Sequence, residues 1–275
     1  LVPSGSLFRT NQHLVIGSNA TITASGTGNI YVKSNFQNYG TFTAPTSSGS
    51  FIVKGGFNNF SGGVFNHNNG TVNLITRYKN QSSGVPSARI LIQGGPGDGR
   101  NFYNLTKTFK RGIYLASDIE IENDLIIADS GLIRANDSSN SFDITVGGDI
   151  DIDRSGNFQA FSGKVILNGS STQTIKSPAS FNHLQIYKNS DVSLLRAATA
   201  SGTLTIDSVA KLDINGFNLT AGTLVNNGNL QLKGSETLSI TTKDTDSGTI
   251  TYDGTATGLA YGNAYYNLSL NTTGT

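Results

Sequence analysis

The chain has 275 residues, of which 33 are glycine and only 13% are charged, and its formal net charge is +1. This balance excludes a strongly basic nucleic-acid surface, and no apolar run reaches the roughly 18 residues that a membrane-spanning helix needs. Because cysteine is absent, disulfides, thiolate metal ligands and thiol nucleophiles are excluded too. We therefore predict neither nucleic acid nor membrane insertion.

Short runs of alternating apolar and polar residues recur along the chain. In chain order they include Thr21-Ile22-Thr23, Ile119-Glu120-Ile121-Glu122, Asp149-Ile150-Asp151-Ile152-Asp153 and Leu212-Asp213-Ile214. A period of two is typical of half-buried β-strands, and helical spacing is nowhere sustained. The chain is therefore predicted to be all-β.

Turn-forming residues separate these runs, as in Ser25-Gly26-Thr27-Gly28 and Asn226-Asn227-Gly228-Asn229. Glycine and asparagine tolerate the positive φ angles of tight turns, so the strands are predicted to be short and the turns frequent. This pattern fits a sandwich, a barrel or a solenoid. Self-similarity at a fixed period distinguishes the solenoid from the other two.

A short aromatic motif recurs three times. Phe102-Tyr103-Asn104-Leu105 returns as Phe181-Asn182-His183-Leu184 and as Tyr265-Tyr266-Asn267-Leu268, and successive leucines are 79 and 84 residues apart. We therefore predict one continuous domain, 1–275, with internal repeats 1–105, 106–184 and 185–275.

A shorter period lies inside these repeats. Leu105 is followed after 20 residues by Leu125, Leu184 after 20 by Leu204, and Phe36 after 21 by Phe57. About 20 residues suffice for two or three short strands with corners and a rise of one strand spacing, about 4.8 Å. The prediction is a parallel β-helix (β-solenoid) of roughly 20-residue coils, with a tandem β-sandwich as the alternative.

With these aromatic anchors, the leucine-rich strands after them and turns such as Gly40-Thr41-Phe42, the chain resembles the repeat regions of large bacterial cell-surface proteins and adhesins with parallel β-helix folds. The resemblance covers essentially the whole chain. It implies an extracellular or cell-surface location and a stalk or adhesive role. It transfers no functional residue.

The third repeat lacks its second half, and Leu14-Val15-Ile16-Gly17-Ser18 resembles the corresponding Leu204-Thr205-Ile206-Asp207-Ser208. We therefore expect the N-terminal segment of a neighbouring copy to complete this repeat, giving a head-to-tail homopolymer without a cap at either end. The predicted subunit interface consists of Leu7, Leu14, Ile16, Tyr265, Tyr266, Leu268 and Leu270. This structural role requires no cofactor and no catalytic residue.

Two further binding possibilities stay open. Calcium is a second-rank candidate ligand, and its candidate site residues are Asp149, Asp151, Asp153, Asp244 and Asp246. Alternating acidic residues, however, usually form only the solvent-exposed face of a strand. Surface glycans are the second candidate partner, because the same repeats suit a stalk or glycan-binding segment of an adhesin. The candidate aromatic contacts are Tyr31, Tyr39, Tyr78, Tyr114 and Tyr187.

One small basic cluster stands out in this nearly neutral chain, at Lys107, Lys110 and Arg111. Without an acidic partner nearby it does not resemble the clustered acid and base of a polysaccharide-cleaving β-helix, so an enzyme is not predicted. We interpret the cluster as a solvated strand edge.

Overall fold

The computed structural model describes residues 1–75, 91–109, 112–136, 140–153, 157–159, 162–254 and 258–271. These residues form an all-β parallel solenoid of about 12 turns with coils of about 20 residues. They contain no helix, and hence none that could cross a membrane. The predicted fold class is confirmed, and the tandem sandwich is excluded.

The strands lie on three faces of the column, although not every coil has a strand on each face, and we number the strands β1 to β31 in chain order. The first face is a thirteen-stranded parallel sheet of β1 (Leu7–Thr10), β4 (Asn29–Val32), β7 (Ser50–Val53), β10 (Thr71–Ile75), β12 (Asn104–Thr108), β15 (Leu125–Ala128), β18 (Ile150–Ile152), β21 (Gln173–Ile175), β24 (Asp191–Leu194), β26 (Lys211–Asp213), β28 (Asn229–Leu232), β30 (Thr249–Tyr252) and β31 (Asn267–Leu270). The second face contains β2 (Leu14–Ile16), β5 (Phe36–Asn38), β8 (Phe57–Asn59), β11 (Leu91–Gln93), β13 (Gly112–Leu115), β16 (Leu132–Arg134) and β19 (Asn157–Gln159).

The third face changes along the column. It begins with β3 (Thr21–Thr23), β6 (Thr41–Thr43) and β9 (Val64–Asn66), and continues with β14 (Ile119–Ile121), β17 (Ile144–Val146), β20 (Lys164–Leu167), β22 (Ala179–Phe181), β23 (His183–Ile186), β25 (Ala198–Ile206), β27 (Leu219–Asn226) and β29 (Leu238–Thr242). In the long strands β25 and β27 the pairing register shifts between Ala200 and Thr203.

The short sequence period is confirmed by the strand register. Leu105 pairs with Leu125, Leu184 with Leu204, and Phe36 with Phe57. Each pair joins consecutive coils, so the sequence spacing of 20 or 21 residues is the length of these turns.

The longer period has a different structural meaning. Leu105 lies in β12 on the first face, whereas Leu184 lies in β23 on the third face, and Leu268 returns to the first face in β31. The repeating unit visible in the structure is therefore the single coil. The division into three repeats stays a prediction.

The core is a column whose inward residues stack from coil to coil. Near its N-terminal end it is aromatic: the fully buried rings are Phe36, Phe42, Phe51, Phe57, Phe65 and Phe102. Further along it is aliphatic, as in the ladder Leu105, Leu125 and Ile150. Alternation along each strand places these side chains inside and their polar neighbours outside.

The corners between faces need residues without a side chain. At Gly228, in the turn after β27, a Cβ atom would lie 2.3 Å from the carbonyl oxygen of Ala210 in the preceding coil. Only glycine fits such a close approach of stacked backbones.

A buried asparagine ladder lies where β5 and β8 end. The Asn38 side-chain Nδ2 donates to Asn59 Oδ1 at 2.8 Å and to the Val64 carbonyl oxygen at 2.9 Å, and Asn59 Nδ2 donates to the Gly99 carbonyl oxygen at 3.3 Å. Both asparagines are fully buried. Their amides therefore satisfy backbone groups that water cannot reach.

We expect Asn59→Leu to lower the free energy of unfolding by about 2 kcal/mol, because Asn38 loses an acceptor and the Gly99 carbonyl loses a donor inside the core. Denaturant unfolding followed by circular dichroism measures the change. Gln37→Leu, an outward substitution in β5, is the matched control and should cost less than about 0.5 kcal/mol. Equal effects of the two substitutions would contradict a structural role for the ladder.

The prediction that Lys107 belongs to a solvated strand edge is wrong. Lys107 points into the column between Leu74 and Ile127, and it is fully buried. Its Nζ donates to the carbonyl oxygens of Thr108 and Phe109, at 2.5 and 2.7 Å. Lys110 and Arg111 lie outside the described residues.

Candidate functional site

The predicted interface residues lie at both ends of the solenoid. In β1 Leu7 is exposed, and at the other end Tyr266, Leu268 and Leu270 are exposed to 62%, 41% and 60%. Within the described residues, β1 and β31 are the two edge strands of the first face. Each therefore presents one row of unpaired backbone groups.

The backbone hydrogen bonds within the first face show which groups these are. Asn271 donates its N–H to the Tyr252 carbonyl, and Asn29 donates to the Ser6 carbonyl. Because alternate residues of a parallel strand face opposite neighbours, the backbone groups of Leu268 and Leu270 point to the open edge of β31. By the same alternation, those of Leu7 and Arg9 point to the open edge of β1.

Leu14 and Ile16 do not join this site. They lie in β2 on the second face with buried side chains, whereas Leu268 lies on the first face. The motif resemblance by which Leu14 of a following copy was expected to complete the repeat of Leu268 therefore connects different faces. The strand that continues the face of β31 is β1.

At the C-terminal end, tyrosine side chains pack beside the last strands of the column. There Tyr261 is fully buried and Tyr265 is partly buried against the core. The Tyr261 N–H donates to Tyr252 Oη at 2.8 Å, Tyr252 Oη lies 3.3 Å from Tyr265 Oη, and Tyr265 Oη donates to the Gly262 carbonyl at 2.5 Å. We call Tyr252, Tyr261 and Tyr265 the tyrosine plug.

Polar contacts hold the plug against the last coils. Tyr261 Oη donates to the Asp244 carbonyl at 2.5 Å, while Lys243 Nζ donates to the Tyr261 carbonyl and lies 5.2 Å from the centre of its ring. Burial raises the pKa of Tyr261 to about 12 and raises that of Tyr252 as well. Tyr252 and Tyr261 therefore stay neutral, and their phenols act as hydrogen-bonding groups.

The acidic residues held in reserve for calcium are engaged in structural contacts. Asp149 pairs with Lys176 at 2.7 Å and accepts the Thr174 N–H, Asp151 accepts the Ser177 hydroxyl, and Asp153 accepts the Asp129 N–H. Although burial opposes it, contact with Lys176 and with Thr174 lowers the pKa of Asp149.

The other two calcium candidates, Asp244 and Asp246, belong to a hydrogen-bonded turn. Asp244 accepts the Asn226 N–H and the Ser247 hydroxyl, and its Oδ1 accepts the backbone N–H groups of Asp246 and Ser247. These bonds lower the pKa of Asp244 although burial opposes them. Among the described residues no three His, Asp or Glu side chains gather as a metal site. Calcium binding stays a prediction.

The tyrosines suggested as glycan contacts are spread around the column. Tyr31 lies on the first face between the cations of Arg9 and Lys54, each 5.0 Å from its ring, Tyr39 stacks on Phe60, and Tyr114 on the second face binds Arg134. Tyr187 is exposed after β23. They form no common surface, and Tyr78 lies outside the described residues.

An open groove of 560 Å³ follows the bend of β25, β27 and β29. Five of its ten lining residues carry hydroxyl groups, Gly222 lies at the bend and Lys243 at one edge, and the others are the apolar Ala221, Leu238 and Ile240. The hydroxyl-bearing residues are Thr199, Ser201, Thr220, Ser239 and Thr241. Hydroxyl groups on a shallow surface can hydrogen-bond neutral ligands, but they supply no general acid or base. Sequence reasoning missed this groove because no single motif marks it.

Comparison of the chain with family models, curated proteins and solved structures finds no match. The structure confirms the β-solenoid fold that the resemblance to surface-protein repeats implied. No family or relative identifies the chain as an adhesin repeat region.

Proposed function

We propose that the protein is a structural subunit of an extracellular filament or surface fibre that grows head to tail. The observation that supports this role is the pair of open edges on the first face, one at β1 and one at β31. Both belong to the same parallel sheet, so a second copy can extend the sheet without changing strand direction. Such a heterologous contact propagates into a filament.

The junction has one register that satisfies both backbone and side chains. If Leu268 of one copy pairs with Phe8 of the next, the Leu268 N–H reaches the Leu7 carbonyl and its own carbonyl receives the Arg9 N–H. In this register Leu268 follows Ile250 and Phe8 precedes Ile30 in the inward ladder. The apolar column would therefore continue across the junction, as in other cases of strand addition.

We expect Leu268→Pro to shorten or abolish fibres while the solenoid stays folded. Proline removes the N–H that faces the open edge, whereas the bonds of β31 to β30 come from the alternate residues. Electron microscopy across a concentration series measures fibre length, and circular dichroism checks the fold. Leu268→Ala is the matched control, because it trims the side chain and keeps the N–H.

Deleting residues 267–271 together with the four that follow is the stronger form of the test, because it removes β31 and leaves the tyrosine plug in place. Fibres that persist after this deletion, or single rods from the unaltered chain at every concentration, would contradict head-to-tail assembly. Single rods would favour the alternative role as a stalk or glycan-binding segment of a cell-surface adhesin. The open groove along β25, β27 and β29, with its exposed hydroxyl groups, supports that alternative.

A further inference from the structure

The small net charge conceals a strong segregation of charge along the chain. Residues 1–97 contain six Lys or Arg and no Asp or Glu, whereas residues 98–153 contain eleven Asp or Glu and five Lys or Arg. The first segment thus carries a net charge of +6 and the second a net charge of −6. Neighbouring bands of opposite sign on one rod favour contact with a partner that has the reverse order.

Both bands reach the outer surface of the first face. Arg9 lies in β1, and Lys33 and Lys54 directly follow β4 and β7. None of the three forms an ion pair within the described chain. Farther along, β15 and β18 are flanked or occupied by Asp124, Asp149, Asp151 and Asp153. The cations and the carboxylates are separated by strands β10 and β12, whose outward residues are uncharged.

The strand register places seven outward residues in one straight file across this face. From β1 to β18 the file is Arg9, Tyr31, Ile52, Asn73, Thr106, Ile126 and Asp151. It begins with a cation, ends with a carboxylate, and has apolar or neutral residues between them. Reversed in order, it is complementary to itself.

We propose that two copies pair side by side through the first face, with their column axes antiparallel. A two-fold axis over β10, parallel to the strands, sets Arg9 of each copy against Asp151 of the other. The same axis sets Tyr31 against Ile126 and Asn73 against its own counterpart. This is an isologous contact, in which one surface serves both partners.

The size of the surface predicts a modest affinity. Seven strands about 4.8 Å apart and roughly four residues wide, at about 3.3 Å per residue, give roughly 450 Å² on each copy. The total is close to the roughly 1,000 Å² at which specific interfaces begin. We therefore expect a dimer that forms at low ionic strength and dissociates as salt screens the two charge contacts.

This pairing is independent of the head-to-tail contact. It uses the outward side chains of the first face between β1 and β18, whereas the filament junction uses the strand edges. Two rods joined in this way could each still extend at their ends. A single cysteine distinguishes the two contacts, because the chain contains no cysteine of its own.

The test is oxidative cross-linking of full-length Asn73→Cys at low ionic strength. Side-by-side pairing brings this position against itself and should give a covalent dimer, and high salt should lower the yield about fivefold or more. Head-to-tail contact keeps these positions a column length apart and gives no such product. Ser193→Cys in β24, beyond the paired strands, is the matched control and should stay monomeric.

Charge exchange in the Asn73→Cys background makes the test specific. Arg9→Asp or Asp151→Arg alone should reduce the dimer, and the two together should restore it, because the exchanged charges meet across the two-fold axis. Circular dichroism verifies the fold of each variant. Equal cross-linking at Asn73 and Ser193, or a double variant no better than the single ones, would overturn the proposal. So would a chain that remains monomeric and binds an anionic polysaccharide through Arg9 instead.

Discussion

Phe57→Ala should lower the free energy of unfolding by about 3 to 5 kcal/mol, the range found when a buried phenylalanine is truncated in a core that cannot collapse. The Phe57 ring centroid lies 4.9 Å from those of Phe36 and Phe102 and 5.0 Å from that of Phe65. Its removal leaves a cavity shared by several coils. Denaturant unfolding gives the size of the loss, and hydrogen exchange shows whether it is concentrated in the aromatic coils.

Phe60→Ala is the matched control, three residues farther along the same coil. Phe60 stacks on Tyr39 outside the core, with ring centroids 4.4 Å apart and planes inclined by only 7°. An aromatic pair outside the core is worth roughly 0.5 to 1.5 kcal/mol, so the loss should be clearly smaller than for Phe57. Similar losses for the two variants would argue against a continuous aromatic core.

Lys107→Met should make the solenoid more stable near neutral pH and change how its stability depends on pH. Burial lowers the pKa of Lys107 from 10.5 to about 7. The unfolded chain therefore binds a proton below pH 10.5 that the folded chain binds only below about pH 7. Stability linked to this amine is fully present above pH 10.5, falls as the pH drops to about 7, and is constant below that.

The size of this effect follows from the pKa difference. It corresponds to about 3 to 5 kcal/mol between the two limits, at roughly 1.4 kcal/mol for each pH unit. The free energy of unfolding of the wild type relative to Lys107→Met, measured from pH 6 to 9.5, isolates it from other titrating groups. Lys188→Met, at an exposed turn, is the control. Parallel curves for the wild type and Lys107→Met would show that the amine keeps its ordinary pKa.

The sequence was sufficient to predict the coil, because similar apolar residues recur in the sequence at intervals of one coil length. Residues 20 or 21 apart, such as Phe36 and Phe57 or Leu184 and Leu204, became partners in adjacent strands. The alternation of apolar and polar residues along each strand also predicted which side chains point into the column and which point to solvent. Both signals depend only on the pleat of a strand and on the rise of one coil.

The assignment of residues to faces could not be predicted in this way. Leu14 and Leu204 sit in similar motifs but lie on the second and third faces. Since all three faces use short strands of the same apolar and polar alternation, a motif does not reveal which face it forms. Only the lengths of the intervening turns, which vary, determine that.

The buried polar groups are the second feature that was not predicted from the sequence. Lys107 occupies an inward position between Leu74 and Ile127, and alternation could have indicated its burial, but its charge favoured the opposite interpretation. The tyrosine plug depends on Tyr261, which belongs to no alternating run. The segregation of charge was visible in the sequence, but a net charge of +1 conceals it.

The hydrogen bonds between coils run along the column, while the covalent chain winds around it. A pulling force applied at a terminus therefore strains the outermost turn first and leaves the inner turns at rest until that one has detached. Each detached turn frees about 20 residues, or roughly 70 Å of extended chain at about 3.5 Å per residue. The molecule would thus lengthen under load in discrete steps, and the turns that follow would stay folded while each outer turn detaches.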